Sequence, residues 1–142
     1  IGTLRLRSPD PLAHPALDPD YFSDAGGEDL RTLVDGVRLS RRIAGQKALA
    51  HLDLKEMTPS AEAESDSEIA LFVRRQCQSL YHPTSTCRMG GDAGAVVDPQ
   101  LRVRGVEGLR VIDASVMPSV ISANTNAATI MIGEKGAALL QV

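Results

Sequence analysis

Aromatic side chains are scarce in this sequence: two Phe, two Tyr and no Trp. Any core must therefore be built from Leu, Val, Ile, Ala and Met, without the ring-on-ring contacts that anchor many interiors. There is no apolar run approaching the ~20 residues of a membrane-spanning helix, which excludes such a helix here. Cysteine is limited to Cys77 and Cys87. Their spacing is that of neither a metal pair nor a disulfide framework, so no metal is expected and reduced thiols in a cytosol-like compartment are favoured. No basic block is present and the net charge is −3, which gives nucleic-acid binding no support. The opening Ile1-Gly2-Thr3-Leu4-Arg5-Leu6-Arg7 lacks the apolar centre of a signal peptide. It also lacks an initiator Met and begins in mid-pattern, which predicts a chain cut from something longer.

What is present is ordinary for a globular protein. The 142 residues are 43% apolar and 23% charged, so disorder is not the default. The length suits one modest domain or two pieces of a larger one. Thr3 to Arg7 alternates in the period of a half-buried strand. Four prolines between Ser8 and Asp20 forbid a regular helix there. Asp24 to Gly27 reads as a turn, with Glu28 or Asp29 capping a helix that carries Leu30, Leu33, Val34, Val37 and Ala44 on one stripe. Gly36 and Gly45 weaken or interrupt it. Ser65 and Glu68 have capping-box spacing, opening a second helix with Ile69, Phe72, Val73, Cys77 and Leu80 on its buried side. The polar stretch Thr58 to Asp66 is expected to be exposed. Ala95 to Val97, Leu101 to Val103 and Leu109 to Ile112 read as brief strands joined by tight turns. Asn126 to Leu140 has a helical pattern in Ala127, Ile130, Met131, Ala137 and Leu140, with Thr125 or Asn124 as N-cap.

Two places carry possible chemistry. In Tyr81-His82-Pro83-Thr84-Ser85-Thr86-Cys87-Arg88-Met89-Gly90 the histidine is held between a helix end and a turn. Imidazole exchanges protons around neutrality, which suits an acid–base role. A lone loop histidine is as readily a structural hydrogen-bonding residue, and on chemistry alone that reading wins. His14 and His51 are read as structural. The second place is Ser122-Ala123-Asn124-Thr125-Asn126. Capping explains one of these residues, but not two Asn flanking a Thr. A helix start also offers free donors and a partial positive charge to a developing anion. Gly90-Gly91-Asp92-Ala93-Gly94 lacks the strand-and-helix setting of a dinucleotide fingerprint and reads as a flexible turn. Arg41-Arg42 and Arg74-Arg75 read as pairs on solvated helix faces. Asp113-Ala114-Ser115 follows a strand, where ligands are often met.

The order of these motifs is more telling than any one of them. Tyr81-His82-Pro83 with Thr86 to Gly90 is followed by Val97-Asp98-Pro99 and then by Gly108 to Ser115. Asn124-Thr125-Asn126 with Met131 to Lys135 completes the series. Together they resemble the C-terminal region of the glucose–methanol–choline (GMC) oxidoreductase family of flavin-dependent alcohol oxidoreductases. Gly2 to Leu6 and Asp18 to Tyr21 are similar to its substrate-domain sheet. The resemblance implies an α/β (α+β) fold. Residues 1–90 would be the C-terminal part of an antiparallel-sheet substrate-binding domain. Residues 91–142 would return to a Rossmann-like FAD-binding domain as its last strand and helix. It implies FAD as cofactor, a small-molecule alcohol as substrate, His82 as catalytic base and Asn124 as its active-site partner. Asp113, Ala114, Thr125 and Asn126 match positions along the flavin and its pyrophosphate. The family's glycine fingerprint is not in this sequence, so the implied partner is an N-terminal FAD-binding half of the same enzyme. Two alternatives stay open: a flavin-containing hydroxynitrile lyase of the same fold, and a fragment or split subunit inactive alone.

Overall fold

Strand alternation at the start produces a short ribbon. In the computed structural model, which describes residues 2–59 and 63–141, β1 (Thr3–Arg5) pairs antiparallel with β2 (Ala16–Asp18). Leu4 faces Leu17 in register, and both are exposed. The expectation of a half-buried strand fails because a two-stranded ribbon has no layer of its own to cover it.

Helix α1 (Glu28–Ala44) begins one residue after Gly27, whose φ of 67° is a left-handed conformation that costs glycine little. Its cap is neither Glu28 nor Asp29. The Asp24 carboxylate, four residues back, accepts from the backbone N–H of both Glu28 and Asp29. Gly36 sits inside an unbroken helix, and Gly45 ends it. Helix α2 (Asp66–Gln76) opens on the full capping box. Ser65 Oγ accepts from Glu68 N, and the Glu68 carboxylate accepts from Ser65 N at 2.9 Å. Those backbone and side-chain bonds from Ser65 hold the Glu68 carboxyl below its ordinary range.

Val34 from α1 and Ile69 and Val73 from α2 form a core with Ala63, flanked by Phe22 and Phe72. Ala63 is buried although its segment reads as polar and exposed; residues 60–62 of that segment lie outside the described residues. Leu80 is exposed, because α2 stops at Gln76, short of carrying it onto the buried side. Nor is Arg41 merely solvated. Its Nε donates to Glu56 at 2.8 Å and its Nη1 to the Ala63 carbonyl at 2.8 Å. Arg74 lies over the Phe22 ring, 5.4 Å from its centre.

The described residues divide into two compact units, the first ending at Gln78 and the second beginning at Ser79. In the second, the apolar runs expected as strands pair only at single bridges: Met89 with Val97, Val97 with Val103, and Arg102 with Arg110. Each run is too short, between its Gly and Pro turns, to extend a ladder. A 3₁₀ turn, Ala114–Val116, and helix α3 (Asn126–Leu140) complete the unit. Val97, Leu101, Val116, Met117 and Ile132 are its core. The side of α3 that packs holds Ile132 and Gly136, while Ile130, Met131 and Leu140 are exposed. The helix is apolar on most of its circumference, so periodicity alone does not choose a face. Close approach to Ile112 at Gly136 chooses it.

Candidate functional site

The histidine segment is held by its backbone on both sides. Tyr81 (φ 62°) and Ser85 (φ 71°) both sit in the left-handed region, which is costly for residues with a Cβ and clusters at functional sites. Between them, Pro83 restricts His82 to an extended conformation. Downstream, Cys87 N donates to the Ser115 carbonyl at 3.0 Å and Met89 N to that of Val116 at 2.8 Å. These bonds tie the segment to the 3₁₀ turn, which itself packs against α3.

The glycine-rich stretch that follows is an ordered turn, folded around an ion pair. Arg88 grips the Asp92 carboxylate bidentately, at 2.9 and 2.6 Å, and Gly94 N donates to it at 3.0 Å. The Arg88 side chain first, then the Gly94 N–H, holds the Asp92 carboxyl well below the usual carboxylate range. Cβ atoms at Gly90 and Gly94 would crowd this pair. The i,i+4 placement of Arg88 and Asp92 was the available signal, hidden by the glycines between them. Asp98, of Val97-Asp98-Pro99, accepts from the N–H groups of Gln100 and Arg102 and from Arg102 Nε at 2.7 Å. The backbone bond from Arg102 leads in lowering its carboxyl from the ordinary value.

Packing of the 3₁₀ turn on α3 brings two distant segments together. Asn124 Nδ2 stands 3.4 Å from His82 Nε2, at the long end of hydrogen-bond range. Thr125 Oγ1 stands 2.9 Å from His82 Nδ1. His82 is half-buried, Asn124 exposed and Thr125 buried. The other positions matched to the flavin lie at the 3₁₀ turn and at the start of α3. Asp113 caps the 3₁₀ turn through Ser115 N at 2.7 Å, Ala114 begins that turn, and Asn126 is the exposed first residue of α3. Thr125, the fourth of these positions, has its hydroxyl against the imidazole. An open depression of about 880 Å³, lined in part by Val106, Arg110 and Leu139, contains none of these residues. Both cysteines are free.

An imidazole with an amide at one nitrogen and a hydroxyl at the other thus stands beside a helix start, on a mixed helix-and-sheet scaffold. Residues 1–133 match a family model described as GMC oxidoreductase. The chain belongs to the GMC oxidoreductase family. It is similar to human mitochondrial choline dehydrogenase, with 50% identity over 144 residues covering 99% of this chain and 24% of that protein. Choline oxidase of Arthrobacter globiformis is 46% identical over 99% of this chain and 26% of that protein. Among solved structures, pyridoxine 4-oxidase from Mesorbium loti superposes with a TM-score of 0.88 at 31% identity, covering 99% of this chain and 27% of that one. The fold class expected from the sequence, the C-terminal part of a GMC-type fold, is thereby borne out. The chain spans about a quarter of the length of the relatives it matches.

Proposed function

We propose that this chain is the C-terminal, catalytic portion of an FAD-dependent enzyme that oxidises a primary or secondary alcohol to a carbonyl. The observation that carries the proposal is the meeting of His82 Nε2 and Asn124 Nδ2 across 3.4 Å, in a chain of this family. Alcohol oxidation removes a hydroxyl proton and a hydride from the carbon that bears it. His82 accepts the proton at Nε2. Asn124 is no base at neutral pH. Its amide donates to the alcohol oxygen and holds that oxygen between amide and imidazole. The N-terminus of α3 adds partial positive charge where the oxygen becomes alkoxide-like.

FAD, when bound, supplies the acceptor for the hydride. The residues of this chain that would hold it are Asp113, Ala114, Thr125 and Asn126. Their chemistry fits: a carboxylate that accepts from hydroxyls, backbone at a turn, and an amide at a helix start suited to an anionic group. The glycine turn at 90–94 is filled by the Arg88–Asp92 pair, so the dinucleotide cradle belongs to a partner, the N-terminal FAD-binding half. The reading assigns residues 1–90 to the substrate-binding domain and 91–142 to the FAD-binding domain. The His82 segment lies in the second compact unit.

The test is anaerobic mixing of the complete, flavin-loaded enzyme with candidate alcohols while flavin absorbance is followed. Bleaching is expected, slowed ~100-fold or more in His82→Ala, as for loss of a general base. Flavin that stays oxidised with every alcohol, or full-rate bleaching in His82→Ala, overturns the proposal.

A further inference from the structure

The N-cap residue of α3 does not cap. A threonine at this position ordinarily accepts a hydrogen bond from the backbone N–H two or three residues on. Thr125 makes no such bond. Its hydroxyl lies instead 2.9 Å from Nδ1 of His82, and the residue is only 9% exposed. We propose that Thr125 is a positioning residue for His82: it accepts the Nδ1–H and so fixes both the ring's orientation and its tautomer. The inference rests on the proposed role of His82 and deepens it.

The direction of the bond follows from the other side of the ring. An amide nitrogen has hydrogens and no free lone pair, so the ring atom facing Asn124 Nδ2 must be an acceptor. A neutral imidazole has one proton. If Nε2 carries the lone pair, the proton is on Nδ1, and Thr125 Oγ1 receives it. This is the tautomer a base acting through Nε2 requires. The opposite tautomer would place hydrogen on the atom that must accept one.

Thr125 is also well placed to hold the ring still. Its carbonyl accepts from Thr129 N at 2.9 Å and from Thr129 Oγ1 at 2.8 Å, which anchors its backbone to the first turn of α3. Its β-branched side chain has few rotamers to lose. The His82 backbone is constrained independently by Tyr81, Pro83 and Ser85. Ring rotation is then the remaining freedom, and the Thr125 hydroxyl is the contact that removes it.

The test uses the complete flavin-loaded enzyme with two substitutions, Thr125→Val, which keeps shape and loses the hydroxyl, and Thr125→Ser, which keeps the hydroxyl. The first readout is independent of activity. Long-range proton–nitrogen correlation spectra of enzyme labelled at histidine report the tautomer, with the His82 signal assigned by its loss in His82→Gln. The Nδ1–H pattern is expected in wild type and Thr125→Ser, and loss of that single form in Thr125→Val. The second readout is flavin reduction at saturating alcohol. Thr125→Val should slow it about 10- to 100-fold with little change in KM and flavin retained, a loss of the size met when the outer hydrogen-bond partner of a metal-bound imidazole is removed, and Thr125→Ser should restore it.

An Nε2–H pattern in wild type overturns the proposal, as does a Thr125→Val enzyme unchanged in both readouts. Equal losses in the Val and Ser variants, with flavin released, overturn it in favour of simple packing. A wild-type enzyme whose flavin no alcohol reduces, but whose His82 is Nδ1–H and follows Thr125, supports the pairing while removing the alcohol-oxidation reading.

Discussion

Gly136→Ala isolates the contact that seats the last helix. Gly136 is buried on α3, and a Cβ built there would overlap Ile112 Cγ2 outright, 3.0 Å from Cδ1 and 3.1 Å from Cγ1 of the same side chain. Overpacking of this kind costs about 1–3 kcal/mol where neighbours must shift. Alanine in place of glycine inside a helix returns about 1 kcal/mol through backbone entropy. The two effects oppose, and the net expectation is a loss of roughly 1 kcal/mol. A double-mutant cycle separates them. Ile112→Ala removes the three atoms nearest the new Cβ, so adding Gly136→Ala in that background should stabilise by about 1 kcal/mol. The coupling between the sites is then roughly 1–3 kcal/mol. Urea unfolding of the two single variants and the double, compared by midpoint at constant slope, measures it. If Gly136→Ala stabilises equally in both backgrounds, the packing of α3 on Ile112 is refuted.

Other expectations follow from the same geometry. Asn124→Ala in the complete enzyme should raise the barrier to flavin reduction by about 2–4 kcal/mol, the range for losing a donor to a developing oxyanion. An unchanged reduction rate would leave Asn124 with no part in the chemistry. Ser65→Ala removes the hydroxyl half of the capping box and should cost about 1 kcal/mol in denaturant unfolding, with no effect on flavin reduction. Asp92 has its carboxyl depressed in the folded chain by Arg88 and the Gly94 N–H. Its contribution to stability is therefore present above the ordinary carboxylate pKa of about 3.9 and is lost as pH falls below it. Asp92→Asn should flatten the acid limb of the thermal-stability profile. A limb as steep as wild type would mean that the pair contributes nothing there.

The legibility of the sequence varied with the range of the interaction. Helix α2 was readable to its cap because Ser65 and Glu68 satisfy each other within one turn. The extent of α3 was readable from its local helical pattern, although Thr125 makes no capping bond. The cap of α1 was missed because Asp24 reaches across a glycine turn. The brief strands were over-read because pairing depends on a neighbour that local alternation does not specify. The family resemblance was visible in the order of the motifs, and with it His82 and Asn124 as a pair, although on chemistry alone each had a sufficient structural explanation.

What the sequence determined by itself is therefore its local elements and its kinship. Short-range hydrogen bonds and ordered motifs are written in adjacent residues. Tertiary structure alone decided which face of α3 is buried, because a helix apolar on most sides has no preferred face until Ile112 meets Gly136. It also decided that the Thr125 hydroxyl turns from its own helix to the ring of His82. That contact joins residues 43 positions apart in the chain, and no periodicity or spacing rule reaches so far.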